Sequence, residues 1–116
     1  AHENADLVLG LSPWGFFAEQ RYLQAAGPLP DILLGAGPGI GFAGKPTAGG
    51  RCLWSRAYPR GKAVNILEIR GIPKGAPGKA LDFARTKGQD IQLTVRPLDD
   101  GVTQDADTAA RIEALP

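Results

Sequence analysis

Ala80-Leu81-Asp82-Phe83-Ala84-Arg85, followed shortly by Asp90-Ile91-Gln92-Leu93-Thr94-Val95-Arg96, sets the fold class. In the first run Ala80, Phe83 and Ala84 recur at helical spacing with Leu81 beside them, so the pattern predicts a helix over 79–87 that Gly88 closes. In the second, Ile91, Leu93 and Val95 alternate with Gln92, Thr94 and Arg96, the period of a half-buried strand. Phe83 and Leu93 are therefore candidate core residues. A second strand is expected at 63–70, Ala-Val-Asn-Ile-Leu-Glu-Ile-Arg, with a turn from Gly71 to Gly78 between it and the helix.

Toward the N-terminus, Cys52 to Tyr58 alternates as a strand and Asp31-Ile32-Leu33-Leu34 reads as another. Between them lie a glycine-rich turn, Gly35 to Gly44, and a loop, Lys45 to Gly50. Ser12 as N-cap, Pro13 in the first helical position, Gly27 past the end and Pro28 as a block predict a helix over 13–26. Phe16, Phe17 and Leu23 form its apolar side; Glu19, Gln20, Arg21 and Gln24 form its polar side. Asp6 to Leu11 is a short apolar run, either a strand or a lead-in to that helix. Beyond Pro97, an acidic turn at Asp99-Asp100-Gly101 precedes an acid-led helix near 105–115 carrying Ile112 and Leu115. The expectation is an α+β fold: a small, mostly antiparallel sheet or partly open barrel covered by two or three helices. Residues 1–29 form an N-terminal extension with a docked helix, 30–97 the core, and 98–116 an acidic tail with a short helix.

Length and composition agree with one domain. The 116 residues are 43% hydrophobic and 22% charged, and 16 Gly with 10 Pro favour short elements joined by many loops over a long helical bundle. One cysteine, Cys52, and one histidine, His2, exclude a disulfide framework and a multi-cysteine zinc site. No metal or other cofactor is expected. No run approaches the length of a membrane span. Ala1 in place of Met fits an exported protein after signal cleavage, an excised domain, or loss of an initiator Met, and the residues do not choose a compartment.

Charge is unevenly spread. Residues 1–43 hold one base and four acids, 44–96 eleven bases and three acids, and 97–116 one base and five acids. A basic middle between acidic ends suits an anionic partner, or ends that fold back on the middle and neutralise it. Within the basic block, strand periodicity puts Trp54, Arg56 and Tyr58 on one face, flanked by Arg51 and Arg60. Aromatics interleaved with arginines stack and neutralise single-stranded nucleic acid, so these five residues are the candidate site for nucleic acid or another anionic polymer. The alternative is a core tryptophan flanked by an arginine stem.

Catalytic signatures are lacking. Gly39-Ile40-Gly41-Phe42-Ala43-Gly44 has dinucleotide-loop spacing, but the following Lys45-Pro46-Thr47-Ala48-Gly49-Gly50 cannot begin the helix such a site needs. Cys52 has no evident base and reads as a strand cysteine; Ser12 and Ser55 have no nucleophile elbow.

From Pro30 to Arg96 the order of elements resembles a PDZ domain. Gly39-Ile40-Gly41-Phe42, preceded by Asp31-Ile32-Leu33-Leu34, is similar to that family's carboxylate-binding loop, and Ala80 to Arg96 is similar to its final helix and strand. Ile66-Leu67-Glu68-Ile69-Arg70-Gly71-Ile72-Pro73 is similar to the strand and turn before them. The resemblance implies a non-enzymatic module that binds a protein or peptide partner, through a peptide terminus or strand, at Gly39, Ile40, Gly41 and Phe42, with Pro77 and Leu81 on the adjoining helix. Pro77 stands where the family often has a specificity-setting histidine, which implies an apolar ligand residue there. Val64-Asn65 replaces the family's Gly-Asp pair, and the stretch from Tyr58 to Ile66 is too short for its small first helix.

Overall fold

The computed structural model describes residues 5–71 and 91–116. Their order is β1 (Leu9–Ser12), α1 (Phe16–Gln24), β2 (Ile32–Gly35), β3 (Phe42–Thr47), β4 (Cys52–Arg56), β5 (Ala63–Ile69), β6 (Ile91–Pro97) and α2 (Ala106–Glu113), with single 3-10 turns at Ala48–Gly50 and Pro59–Gly61. The expected helix over 79–87, with Phe83, Leu81 and the nearby Pro77, lies outside the described residues.

The chain adopts the expected α+β class, without a closed barrel among the described residues. Strand sense differs from the mostly antiparallel sheet read from the sequence. The four-stranded sheet runs β1-β2-β4-β3, with β1-β2 and β2-β4 parallel and β3-β4 antiparallel; β5 and β6 form a separate antiparallel pair. Helix α1 supplies the crossover that a parallel β1-β2 connection requires. β1 pairs residue for residue with β2, Leu9 opposite Ile32 and Ser12 opposite Gly35, so residues 9–12 form a strand of the four-stranded sheet.

All five residues of β4 are buried, as the central strand of a layer covered on both faces must be. On one face Leu33, Cys52 and Trp54 pack with Leu23 of α1, and Phe16, Tyr22, Leu29 and Phe42 close over them. On the other, Ile32 and Leu53 meet Ile91, joined by Leu34, Leu67 and Leu93, so Leu93 packs where its alternation predicted. The glycine-rich turn and the loop after it give way to β3 at Phe42. Pro46 is tolerated inside that strand because β3 is a sheet edge, where a missing N–H breaks no ladder bond on its outer side.

Helix α1 is shorter than expected and begins at Phe16, with Gly15 at its N-cap in a positive-φ conformation (φ 90°). Ser12 is the last residue of β1 and its side chain is used elsewhere. α2 forms where the acid-led segment predicted it, capped by Asp105, whose carboxylate accepts from Thr108 N–H at 2.7 Å. That bond holds the Asp105 carboxyl below its ordinary pKa.

Candidate functional site

Arg56 ends β4 pointing toward α1, and its guanidinium is fully buried. Burial of a charge is tolerable only when every donor finds a partner. Here Nε donates to the Ile40 carbonyl at 2.8 Å, Nη2 to the carbonyls of Gly37 and Pro38 at 3.0 and 3.2 Å, and Nη1 to the Ala36 carbonyl at 3.2 Å. Nη1 also donates to Glu19 Oε2 in a buried ion pair. Glu19 is itself fully buried, accepting from Trp54 Nε1 at 2.9 Å and, on its other oxygen, from the Ser12 hydroxyl at 2.9 Å. The Ser12 oxygen accepts in turn from Trp14 N–H at 3.2 Å.

This network corrects one sequence expectation. Glu19 is not on a solvated helix face; with Phe16 and Leu23 it faces the sheet, whereas Phe17, read as a contact, is 75% exposed. The glycine-rich segment gives four carbonyls, those of Ala36, Gly37, Pro38 and Ile40, to a cation of the protein itself. Gly39 (φ 121°) is required there, since a Cβ would stand 2.5 Å from Phe16 Cβ. Ile40 is exposed, Gly41 lies against Tyr58, and Phe42 stands edge-on to Trp54 with ring centroids 5.1 Å apart. Residues 36–40 thus wrap the Arg56 guanidinium with their carbonyls.

Of the candidate anionic-polymer face, two residues are inaccessible. Trp54 is 2% exposed, stacked on Phe16 at 5.2 Å, and Arg56 is fully buried, so neither can meet a base or a phosphate. The core-tryptophan alternative describes them. Arg51 is exposed and donates to the Ala48 carbonyl, Tyr58 is half-buried, and Arg60 is exposed on the Pro59–Gly61 turn.

The accessible feature is on the opposite face. Between the four-stranded sheet and the hairpin runs an open groove of about 800 Å³, lined by Leu9, Leu11, Leu34, Val64, Leu67 and Ile69 among others. Sequence reasoning missed it, although the alternating Leu9 and Leu11 were its signal. Leu9 is 53% and Leu11 79% exposed. Of residues 36–41, only Ala36 reaches this lining. The few polar groups at the groove include Ser55 and Asn65. Asn65 Nδ2 donates to the Phe42 and Arg56 carbonyls at 2.9 and 2.7 Å, pinning the hairpin to the sheet, while its buried Oδ1 has no partner among the described residues.

Cys52 is buried, and burial pushes its thiol up to about 11. At pH 8 the thiol is therefore neutral and shielded. Ellman's reagent is expected to leave the native protein unlabelled over minutes and to titrate one thiol after denaturation; rapid native labelling would contradict the burial.

Among the described residues no cluster of three or more His, Cys, Asp or Glu is placed to hold a metal, and no helix is long and apolar enough to cross a membrane. No protein-family model, curated protein or solved structure matches this chain, so the PDZ resemblance rests on the quoted residues alone.

Proposed function

We propose that this chain is a non-enzymatic protein-interaction module that receives an apolar peptide segment of a protein partner in the groove between its four-stranded sheet and its hairpin. The observation that carries the reading is the groove itself: about 800 Å³, within the range of ligand sites, and walled by exposed leucine, valine and isoleucine side chains. The class of ligand is that implied by the PDZ resemblance; the groove is proposed as its site because its walls are exposed and apolar, whereas carbonyls of the glycine-rich loop are engaged by Arg56.

Leu11→Asp tests it. At 79% exposed, Leu11 contributes little to folding, so the unfolding free energy should change by no more than about 0.5 kcal/mol. Placing a carboxylate in an apolar contact should weaken a peptide ligand by about tenfold or more. Ligands would come from an array of extended apolar peptides, with amide shifts of β1 and β5 followed by NMR. An array without ligands, or ligands indifferent to Leu11→Asp, would overturn the reading. Tight, salt-sensitive binding of mixed-sequence oligonucleotides that depends on Arg51 and Arg60 would overturn it in favour of an anionic polymer.

A further inference from the structure

We infer that two copies of this chain pair through the outer edges of their β1 strands, antiparallel about a two-fold axis at Gly10, so that their four-stranded sheets become one and their apolar grooves meet across the axis. The inference goes beyond the peptide-binding reading above and is tested without any peptide, so either can fail alone.

The four-stranded sheet has two edges, and they are built differently. β3 is guarded in three ways that discourage pairing: an exposed charge at Lys45, a missing N–H at Pro46, and a break in register between Phe42 and Lys45. β1 has none of these. Val8 to Ser12 holds no charge and no proline, its register with β2 is unbroken, and among the described residues no strand pairs with its outer side. Leu9 is 53% and Leu11 79% exposed on that open edge.

The backbone of β1 is self-complementary. The Val8 carbonyl accepts from Asp31 and Ile32 N–H, and the Ser12 carbonyl from Ala36 N–H, so residues 8, 10 and 12 turn their backbone groups toward β2. By the strand's period of two, Leu9 and Leu11 turn their N–H and C=O outward. These two residues stand symmetrically on either side of Gly10. In an antiparallel pair centred there, Leu9 exchanges both backbone hydrogen bonds with the partner's Leu11, and Leu11 does the same with the partner's Leu9. Gly10 then faces its own copy at a non-hydrogen-bonded position, where opposed Cα atoms come within about 4.5 Å and side chains crowd most.

Side chains select the same arrangement. Leu9 and Leu11 lie on the hairpin face, in register with Ile32 and Leu34, while Gly10 is in register with Leu33 on the helix face. Pro30 and Leu33 already close over Gly10, so the apolar surface left to bury is that of the two leucines. Antiparallel pairing sets the leucines of both copies side by side on one face, whereas a parallel two-fold pair turns the partner's sheet over and separates them. Because Leu9 and Leu11 line the groove, the partner's leucines extend its apolar wall. A net charge of +1 per chain opposes this association only weakly. The interface is small, which puts its dissociation constant in the micromolar range.

Sedimentation equilibrium of the full chain alone should show exchange between monomer and dimer in that range, with no larger species, because the two-fold pair uses up the β1 edge. Leu9→Lys or Leu11→Asp by itself should weaken the dimer by about tenfold or more, since each buries a charge without a counter-charge. Both changes in one chain should restore it to within severalfold of wild type, because each copy's new cation then faces the other's new anion. Leu11→Pro, which keeps the groove apolar and deletes an outward N–H, should abolish the dimer with the far-UV spectrum unchanged. Should that variant unfold, hydrogen exchange on the wild type decides: the Leu9 and Leu11 amides should slow as protein concentration rises, and the Gly10 amide should not. A monomer throughout the micromolar range, or assembly beyond a dimer, would overturn the inference. So would a dimer indifferent to both single changes, or one whose Leu9 and Leu11 amides stay unprotected. Single changes that weaken the dimer without recovery in the double variant would overturn the antiparallel register.

Discussion

Glu19→Ala is expected to destabilise the protein by about 3–5 kcal/mol, because it leaves the Arg56 guanidinium buried without its counter-charge. The direction is diagnostic. On a solvated helix face the same change would be neutral or slightly stabilising, since alanine is the better helix former. Chemical denaturation of the two proteins measures the difference, and a midpoint equal to or above that of the parent would show that the carboxylate is not buried. Arg56→Lys should fail to restore stability, because one ammonium cannot serve the four carbonyls and the carboxylate that the planar guanidinium reaches. The pair Glu19→Leu with Arg56→Met should recover part of the loss relative to Glu19→Ala, since it removes both charges from the interior. The recovery would be incomplete because Ala36, Gly37, Pro38 and Ile40 would lose the donor that fixes their carbonyls.

Trp54→Ala should cost about 3–5 kcal/mol through lost aromatic volume, the usual range for a buried large-to-small change. Its ring stacks on Phe16, meets Phe42 edge-on, and carries the Lys45 ammonium 5.0 Å from its centroid. Trp54→Phe separates packing from polarity: the apolar contacts are largely retained, but Glu19 loses the indole N–H, and about 1–3 kcal/mol should be lost. Equilibrium unfolding in urea, read by far-UV circular dichroism to avoid the changed fluorescence, checks both values. Wild-type stability for Trp54→Ala would be incompatible with a ring that is 2% exposed at the centre of the helix-side core.

Local pattern was legible for several single elements, though not for β3, whose Gly44 and Pro46 read as turn and loop, nor for the start of α1. The alternation through Ile91, Leu93 and Val95 marked β6, the apolar runs at Ile32 and Cys52 marked β2 and β4, and Asp105 marked the start of α2. Those signals are written in neighbouring residues, because a strand's period and a helix cap depend on backbone geometry over a few positions. The α+β class follows from them. What periodicity does not carry is the choice of partner: β2 lies between two parallel neighbours because α1 carries the chain back between β1 and β2, and β3, antiparallel to β4, carries it back between β2 and β4. Glu19 shows the same division for a side chain. Its sequence neighbours describe a polar helix face, and only an arginine 37 positions away, reached through β4, makes burial of the carboxylate tolerable. The glycine-rich segment was visible as a string of residues, but Arg56 decided which way its carbonyls turn. The apolar groove likewise arises only when Leu9 and Leu11, from one edge of the sheet, are brought opposite Val64 and Ile69 of the hairpin. Tertiary structure fixed the site because burial and charge pairing depend on distances in space, which positions along the chain do not specify.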